Sequence, residues 1–433
     1  MLGNKFGKWL GISTFGESHG KAIGLLLEDI KPGIEFPIDQ IKDALARRRP
    51  GKSEFTTSRI EPDELEIISG VFEGKTTGLP ICLLIKNTQQ RSRDYSDLKN
   101  VFRPGHADFS YFEKFKIYDY RGGGRASGRE TVARVAAGEL VDHLLPGIRI
   151  FSYPIMIAGI SATKVDPKFS NQLNWPDSNT YQQIQDKLTE LKAKGDSAGG
   201  IIEMIIHNVP AGLGDPVFEK LDANLAKAIL SIGSVKGIEF GTGFEMAQLQ
   251  GSETNDEMKD GDFLSNNSGG ILGGISTGKQ LVLRLVVKPT PSINVPQNTI
   301  DKDGHNQTIS VTGRHDTCIV PRLIPVAEAM VKLVLADAIS YQNLIIGKDQ
   351  TLNSLRESID KIDEDILLAL ARRMKISQKI GILKKQDSKQ VTDATREIKL
   401  YKSLKFKAEA WDLNPNLVSQ IWPHIIEESK KQQ

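Results

Sequence analysis

Glycine divides this chain. Of its 39 glycines, only Gly381 lies beyond residue 350. Glycine weakens helices and strands, and is used where backbone must take positive φ or approach another group closely. The first 350 residues are therefore held to a turn-rich fold, and the remainder to continuous helix. Several turns concentrate the residue: Gly122-Gly123-Gly124, Gly199-Gly200, Gly269-Gly270 and Gly273-Gly274. Between them, apolar segments such as Ile201–Ile206 and Leu281–Val287 read as strands, and Thr131–Leu145 and Ile324–Ile339 as helices. An α+β domain is expected.

Beyond residue 350, Leu352, Leu355, Ile359, Ile362, Ile366, Ala369, Ile376, Ile380 and Leu383 follow alternating three- and four-residue steps, with Arg373 in the step left over. That spacing predicts one helix of about 34 residues, about 50 Å long. Such a helix is too long for a compact monomer of this size, so pairing with a second copy is expected. Two shorter helices follow over 394–410 and 415–431, with Thr392 or Asp393 as the first N-cap. The domains are read as 1–347 and 351–433.

Composition excludes several classes. With 39% hydrophobic and 25% charged residues the chain reads as an ordinary soluble protein. A formal charge of +2 gives no bulk attraction to nucleic acid or membrane, so anion binding must come from local clusters. There is no signal-peptide core, and no apolar run of about 18 residues. Cys82 and Cys318 have neither metal-ligand spacing nor a disulfide framework. A cytoplasmic enzyme without a metal is expected.

Five motifs carry chemistry. Residues 16–20 read Gly-Glu-Ser-His-Gly, which is either a turn capped by Ser18 or an accessible His19 on tight backbone. Residues 121–131, Arg-Gly-Gly-Gly-Arg-Ala-Ser-Gly-Arg-Glu-Thr, run into an alanine-rich helix. Exposed backbone N–H groups, a helix N-terminus and three arginines suit a phosphate or carboxylate, although the spacing is neither a dinucleotide fingerprint nor a P-loop. Arg47-Arg48-Arg49-Pro50-Gly51-Lys52 is a second basic cluster, open to reading as a solvated face. Arg103-Pro104-Gly105-His106-Ala107-Asp108 and Gly313-Arg314-His315-Asp316 each join arginine, histidine and aspartate. Together these describe an enzyme for a small polyanion, with histidines for proton transfer. They do not name the reaction.

From Gly3 to about residue 345 the chain closely resembles chorismate synthase. The resemblance rests on G-E-S-H-G-x-x-x-G, R-R-R-P-G, S-G-V-F-E-G-x-T-T-G-x-P, F-R-P-G-H-A-D, D-Y-R-G-G-G-R-A-S, G-D-S-x-G-G, S-N-x-x-G-G-I-L-G-G-I-S and G-R-H-D. It implies a β-α-β sandwich and a tetramer. It also implies anti-1,4-elimination of phosphate from 5-enolpyruvylshikimate 3-phosphate, with reduced FMN and no net redox change. By the same resemblance His19, beside Ser18, protonates the reduced flavin, His106 assists the leaving phosphate, and Asp316 helps remove the substrate proton. Arg125, Ala126, Ser127, Gly233, Ser234, Gly273, the run Lys288, Pro289, Thr290, Pro291, Ser292, and Arg314 fall where the family holds flavin. Arg48 falls where the family binds reduced nicotinamide nucleotide or anionic substrate, and Arg129 joins the substrate set. Three departures stand out: Glu54 replaces a second arginine, Gly233-Ser234 an Asn-Ala or Gln-Ala pair, and Pro291 a serine. No reductase segment is visible, so reduced flavin is expected from another protein.

The tail resembles the all-helical chorismate mutases through L-R-E-S-I-x-x-I-D and V-x-D-x-x-R-E. Arg356, Arg373, Lys384, Asp393, Arg396, Glu397, Ser429 and Gln433 match that family's site, in which the first-helix arginine reaches into the partner of an intertwined dimer. Such a site rearranges chorismate to prephenate by holding a dicarboxylate in its compact conformer and stabilising the ether oxygen. On the residues alone, Arg373 inside the apolar seam calls for a bound anion or a carboxylate, and Lys384 lies close to it around the helix. The alternative is a tail that only dimerises or senses a ligand.

Overall fold

The computed structural model describes the chain except residues 1, 52, 58–60, 89–97, 167, 314, 347–351, 387–391, 411–412 and 433. Two expected site residues, Arg314 and Gln433, and the segment between the two expected domains lie outside the described residues. The chain divides into two compact units, Met1–Ile345 and Ile346–Gln433.

The first unit is built on two five-stranded antiparallel sheets. One contains β1 (Lys5–Phe6), β2 (Ile12–Gly16), β3 (Ala22–Leu27), β4 (Leu65–Ser69) and β5 (Ile81–Lys86), in the order β1-β2-β3-β5-β4. The other contains β6 (Arg149–Ile157), β7 (Ile160–Ser161), β8 (Gly200–His207), β9 (Val235–Phe240) and β10 (Leu281–Val287), in the order β9-β10-β8-β6-β7. Strict alternation sets the register. Ile202, Met204 and Ile206 of β8 and Leu281, Leu283, Leu285 and Val287 of β10 all point into the core.

Helices fill the space between. α1 (Ile38–Arg48) packs on α3 (Thr131–Leu140), and α3 contacts β2, β3 and β5. Val132, Ala133, Val135, Ala136 and Ala137 of α3 are all buried, as a helix covered on every side requires. α6 (Val320–Ile346) lies against it, and Gly138 permits the approach, since a Cβ there would sit 2.6 Å from that of Ala329. Glu328 of α6 pairs with Arg47 of α1 at 2.8 Å. Lys332 pairs with Glu139 of α3 at 3.0 Å. Both sheets and these helices share one core.

Three expected helix ends differ. The first helix stops at Leu140 and tightens into a 3-10 turn over Asp142–Leu144, short of Leu145. The other begins at Val320, with Pro321 in the first turn where its missing N–H has no intrahelical partner and Pro325 carried inside the helix, and it runs on past Ile339 to Ile346. α2 (Asp108–Phe115), α4 (Tyr181–Lys194) and α5 (Leu221–Leu230) complete the helices used below. Among the described residues, no helix is long and apolar enough to cross a membrane.

The second unit is three helices: α7 (Leu352–Gln386), α8 (Ala394–Ala410) and α9 (Pro415–Lys431). Asp393 caps α8, its Oδ1 accepting from Arg396 N–H at 3.0 Å, and Asn414 caps α9 in the same way. α9 packs on both α8 and α7. Within the chain the seam of α7 is largely uncovered: Ile359, Ile362, Ile366, Ile376, Ile380 and Leu383 are exposed.

Candidate active site

The β2–β3 hairpin carries Ser18 and His19. Gly16, at φ +87°, lets the chain leave β2, and the side-chain amide of Asn87 clamps the turn by donating to Glu17 and Gly20 carbonyls at 3.0 and 2.9 Å. Ser18 and His19 are both buried, with Ser18 Oγ 3.1 Å from His19 Nδ1.

The glycine triplet lies between two histidines. A Cβ on Gly122 would stand 2.4 Å from His19 Cε1, and one on Gly123 would stand 2.6 Å from His106 Cε1. Both glycines have positive φ. Only glycine satisfies both conditions, so the motif is a spacer that lets two imidazoles approach one backbone. Beyond it, Ser127 Oγ accepts from Arg129 N–H at 3.3 Å and opens the short turn leading into α3. Arg125 is pinned to β2, donating to Thr14 Oγ1 at 2.7 Å and to the Gly16 carbonyl at 3.3 Å.

Behind this loop the basic cluster turns inward. Arg48, at the end of α1, is 2% exposed and donates to Asp63 at 3.2 Å, Gly128 O at 3.3 Å and Thr131 Oγ1 at 3.4 Å. Arg129 also ion-pairs with Asp63, and donates to Asn87 Oδ1 at 2.9 Å. Burial pulls the Arg48 guanidinium down to about 10 against the opposing pull of Asp63. The solvated-face reading therefore does not hold for Arg48, although Arg47 and Arg49 stay partly exposed.

These groups meet in one cavity of about 790 Å3, within the usual range for ligand clefts of about 300–1,000 Å3. Of the expected first-unit residues, His19, Arg48, His106, Arg125, Ala126, Ser127, Arg129, Gly233, Ser234, Lys288, Thr290, Pro291, Ser292 and Asp316 line it. Ser18, Pro289 and Gly273 do not; Ser18 stands behind His19, and Gly273 sits on an exposed turn between Ile271–Leu272 and Ile275–Ser276. Among the described residues the lining includes eight arginines and lysines but three carboxylates. That surplus makes it a receptor for a polyanion.

Asp316 is fixed at both oxygens, by Thr57 N–H at 2.9 Å and by Arg322 Nη1 at 2.5 Å. His315 also lines the cavity, and burial holds its imidazole below the ordinary value. Sequence reading passed over Arg322, Arg134 and Lys236, which line the cavity, and Asp63, which stands behind it. None has a local signature; Asp63 sits in Glu61-Pro62-Asp63-Glu64, which reads as an ordinary solvated acidic run.

In the second unit, Arg373 and Ser429 are brought together, and Glu397 reaches the same helix α9. Arg373 Nη1 contacts Ser429 Oγ and donates to the Ile425 carbonyl at 3.2 Å. Glu397 pairs with Lys430 at 2.7 Å. Among the described residues no carboxylate pairs with Arg373; a hydroxyl and a backbone carbonyl take that place, and burial holds the guanidinium below its ordinary value. Of the two expectations for Arg373, a bound anion or a carboxylate, the protein contacts seen here are polar oxygens of α9. Lys384 is half-buried, while Arg356, Asp393 and Arg396 are exposed.

Comparison with known proteins agrees with this geometry. The family model described as chorismate synthase matches residues 10–340, and the one described as chorismate mutase type II matches residues 355–433. A chorismate synthase of Syntrophus aciditrophicus (strain SB) is 48% identical over 352 residues, covering 80% of this chain and 99% of its own. One of Desulfatibacillum aliphaticivorans is 49% identical over 346 residues, covering 79% and 97%. A solved structure, described as the crystal structure of chorismate synthase, superposes with a TM-score of 0.59 at 32% identity, covering 77% of this chain and 92% of that one. With its polyanion cavity in the matched region and its three helices in the second match, the chain belongs to the chorismate synthase family and carries a chorismate mutase type II domain behind it, an enzyme with both lyase and isomerase activities.

Proposed function

We propose that the Met1–Ile345 cavity binds reduced FMN together with 5-enolpyruvylshikimate 3-phosphate and eliminates phosphate to give chorismate, which the tail rearranges to prephenate. The cationic surplus of the cavity, flanked by His19, His106 and Asp316, carries this reading. The residues present fit a flavin phosphate and ring. Thr290 Oγ1 is buried without a hydrogen-bond partner, and glycine backbone and Arg125 bound the same wall. Arg125, Ala126, Ser127, Gly233, Ser234, Lys288, Thr290, Pro291 and Ser292 would hold the flavin; Gly273 is left out because it lies off the cavity lining. When bound, reduced FMN supplies electron density as the carbon–oxygen bond to phosphate breaks.

The chain's own groups do the rest. Arg48 and Arg129 are held rigidly by Asp63 and present fixed positive charge to substrate carboxylate or phosphate. Arg48 is too deeply buried for a surface nicotinamide contact, and Glu54 is engaged with Lys192 at 3.7 Å, which favours the anionic substrate as Arg48's ligand. In this reading His106 gives a proton to the leaving phosphate, His19 serves the flavin from the opposite side of the glycine loop, and Asp316 acts as an oriented carboxylate.

In the tail, Arg373 is the carboxylate anchor with Ser429 beside it, Glu397 is paired with Lys430, and Lys384 and Gln433 serve the ether oxygen. The uncovered seam of α7 calls for a second copy, whose Arg356 completes each site. A tetramer with paired tails fits both units, and reduced flavin comes from a separate cytoplasmic reductase. One anaerobic assay with reduced FMN, following chorismate and prephenate together, tests the sequence of reactions. Full turnover in flavin-free buffer refutes the cofactor, and chorismate accumulating without prephenate refutes an active tail. Residues 1–347 and 351–433 expressed apart should each keep their own reaction, and failure of both to fold would refute the division.

A further inference from the structure

Behind His106 stands a carboxylate to which the family resemblance gives no role. Asp108 opens α2, is 3% exposed, and places Oδ1 at 2.7 Å from His106 Nδ1. Arg103 grips the same carboxylate from the other side, with Nε to Oδ2 and Nη2 to Oδ1 both at 2.8 Å, and its backbone N–H to Oδ2 at 3.2 Å. Arg103 Nη2 also lies 3.1 Å from Nδ1, but a guanidinium only donates. Were Nδ1 bare, it would face an anionic oxygen lone pair to lone pair. The proton is therefore on Nδ1. Nε2 has no hydrogen-bond partner among the described residues, and the ring lines the cavity against Gly123.

We propose that Asp108 is the positioning residue of the synthase site, fixing His106 in its Nδ1–H tautomer so that Nε2 becomes the proton-exchanging atom, while Arg103 keeps Asp108 ionised. This rests on the role proposed above for His106, and adds how that role is set. A neutral ring of this tautomer carries a lone pair at Nε2, so the proton for the departing phosphate must first be taken up from water. Among the described residues, the charged or titratable groups facing the ring are Arg103 and Asp108 from its own segment, Lys288 at the end of β10, and His315. Burial and the two cations oppose the second proton, and Asp108 favours it, with the net effect of holding His106 below the ordinary imidazole value. A bound phosphate dianion reverses that balance, so proton loading at Nε2 is coupled to substrate binding. The proton then passes to the phosphate oxygen, leaving His106 neutral.

The test is Asp108→Asn in the full chain, read two ways. Anaerobic turnover with reduced FMN should show kcat falling about 10- to 100-fold with KM nearly unchanged. The His106 Cε1–H signal, identified by its loss in His106→Ala, should titrate at lower pH than in the parent, since the group favouring the cation is gone. Asp108→Glu, which keeps the charge, should restore part of both. An unchanged kcat, or a kcat loss with His106 titrating as in the parent, overturns the proposal; the second outcome makes Asp108 merely structural. Full turnover by His106→Ala would instead refute the role of His106, and the titration, which needs no turnover, still decides whether Asp108 sets its tautomer. Should Asp108→Asn not fold, Asp108→Glu alone decides: a titration identical to the parent with kcat lowered overturns the proposal.

Discussion

Asp63→Asn isolates the charge that holds two arginines in the cavity wall. Asp63 has a positive φ of 51°, a conformation asparagine tolerates as well as aspartate, so the substitution changes charge with little backbone strain. Its side chain is fully buried, pairs with Arg48 at 3.2 Å and with Arg129, and lies 3.8 Å from Arg49. Burial pushes its carboxyl up, but Arg48 and Arg129 outweigh burial and hold it below the ordinary range. Breaking a buried pair by removing one partner costs about 3–5 kcal/mol, because the other charge stays buried. Glu61 stands 3.9 Å from Arg129 and compensates in part, which favours the lower figure. For a unit the size of Met1–Ile345, an unfolding entropy of about 0.7 kcal/mol/K converts this to a Tm drop of about 4–7 °C. Differential scanning calorimetry of the full chain reads it, with the tail's transition as internal standard. Synthase kcat/KM should fall as well, while mutase rate holds. A Tm within about 1 °C of the parent with unchanged kcat/KM would refute the reasoning.

Gly122→Ala should displace the His19 ring, since the new Cβ would meet Cε1 at 2.4 Å at a φ of +64°; anaerobic turnover should fall at least about tenfold. Removal of Gln432 and Gln433 should slow the mutase about ten- to thousand-fold by loss of a donor to the ether oxygen, and leave the synthase rate intact in a coupled assay. Stability of the first unit should fall as pH drops from about 7 to about 5. Burial holds His106, His143 and His315 below their ordinary value, so the unfolded chain binds protons that the folded one refuses. Urea midpoints across that window check this, and His106→Ala should flatten the slope.

Much of the fold was legible because its periodicities are strong. The short apolar segments Ile201–Ile206 and Leu281–Val287 are strands as expected, and they pair antiparallel from Ile201 with Val286 through Ile206 with Leu281. The long stepped pattern from Leu352 becomes a 35-residue helix, Leu352–Gln386. What misled was local. Pro321 lies in the first turn of α6 and Pro325 is carried inside it, so the helix starts ahead of the expected Ile324. The tail of Thr131–Leu145 has helix-like composition, but turns by three-residue steps that a 3.6-residue pattern does not distinguish.

The site was legible in proportion to how rare its residues are. With seven histidines in the chain, finding His19, His106 and His315 in charged or glycine-rich motifs is informative, and all three line the cavity. With 54 acidic residues, a single aspartate carries almost no information, so Asp63 and the role of Asp108 were invisible before the chain was folded. Yet these acids make the cationic wall possible. Two unit charges about 4 Å apart repel by about 4 kcal/mol at an effective dielectric near 20, and Arg48, Arg49 and Arg129 all lie within 4 Å of the same carboxylate. Without Asp63 that repulsion would stand unopposed; with it, their charge is fixed in place before a ligand arrives. The arginines visible in the sequence state what the cavity binds, and the buried aspartates, visible only in the fold, explain why it stays assembled when empty.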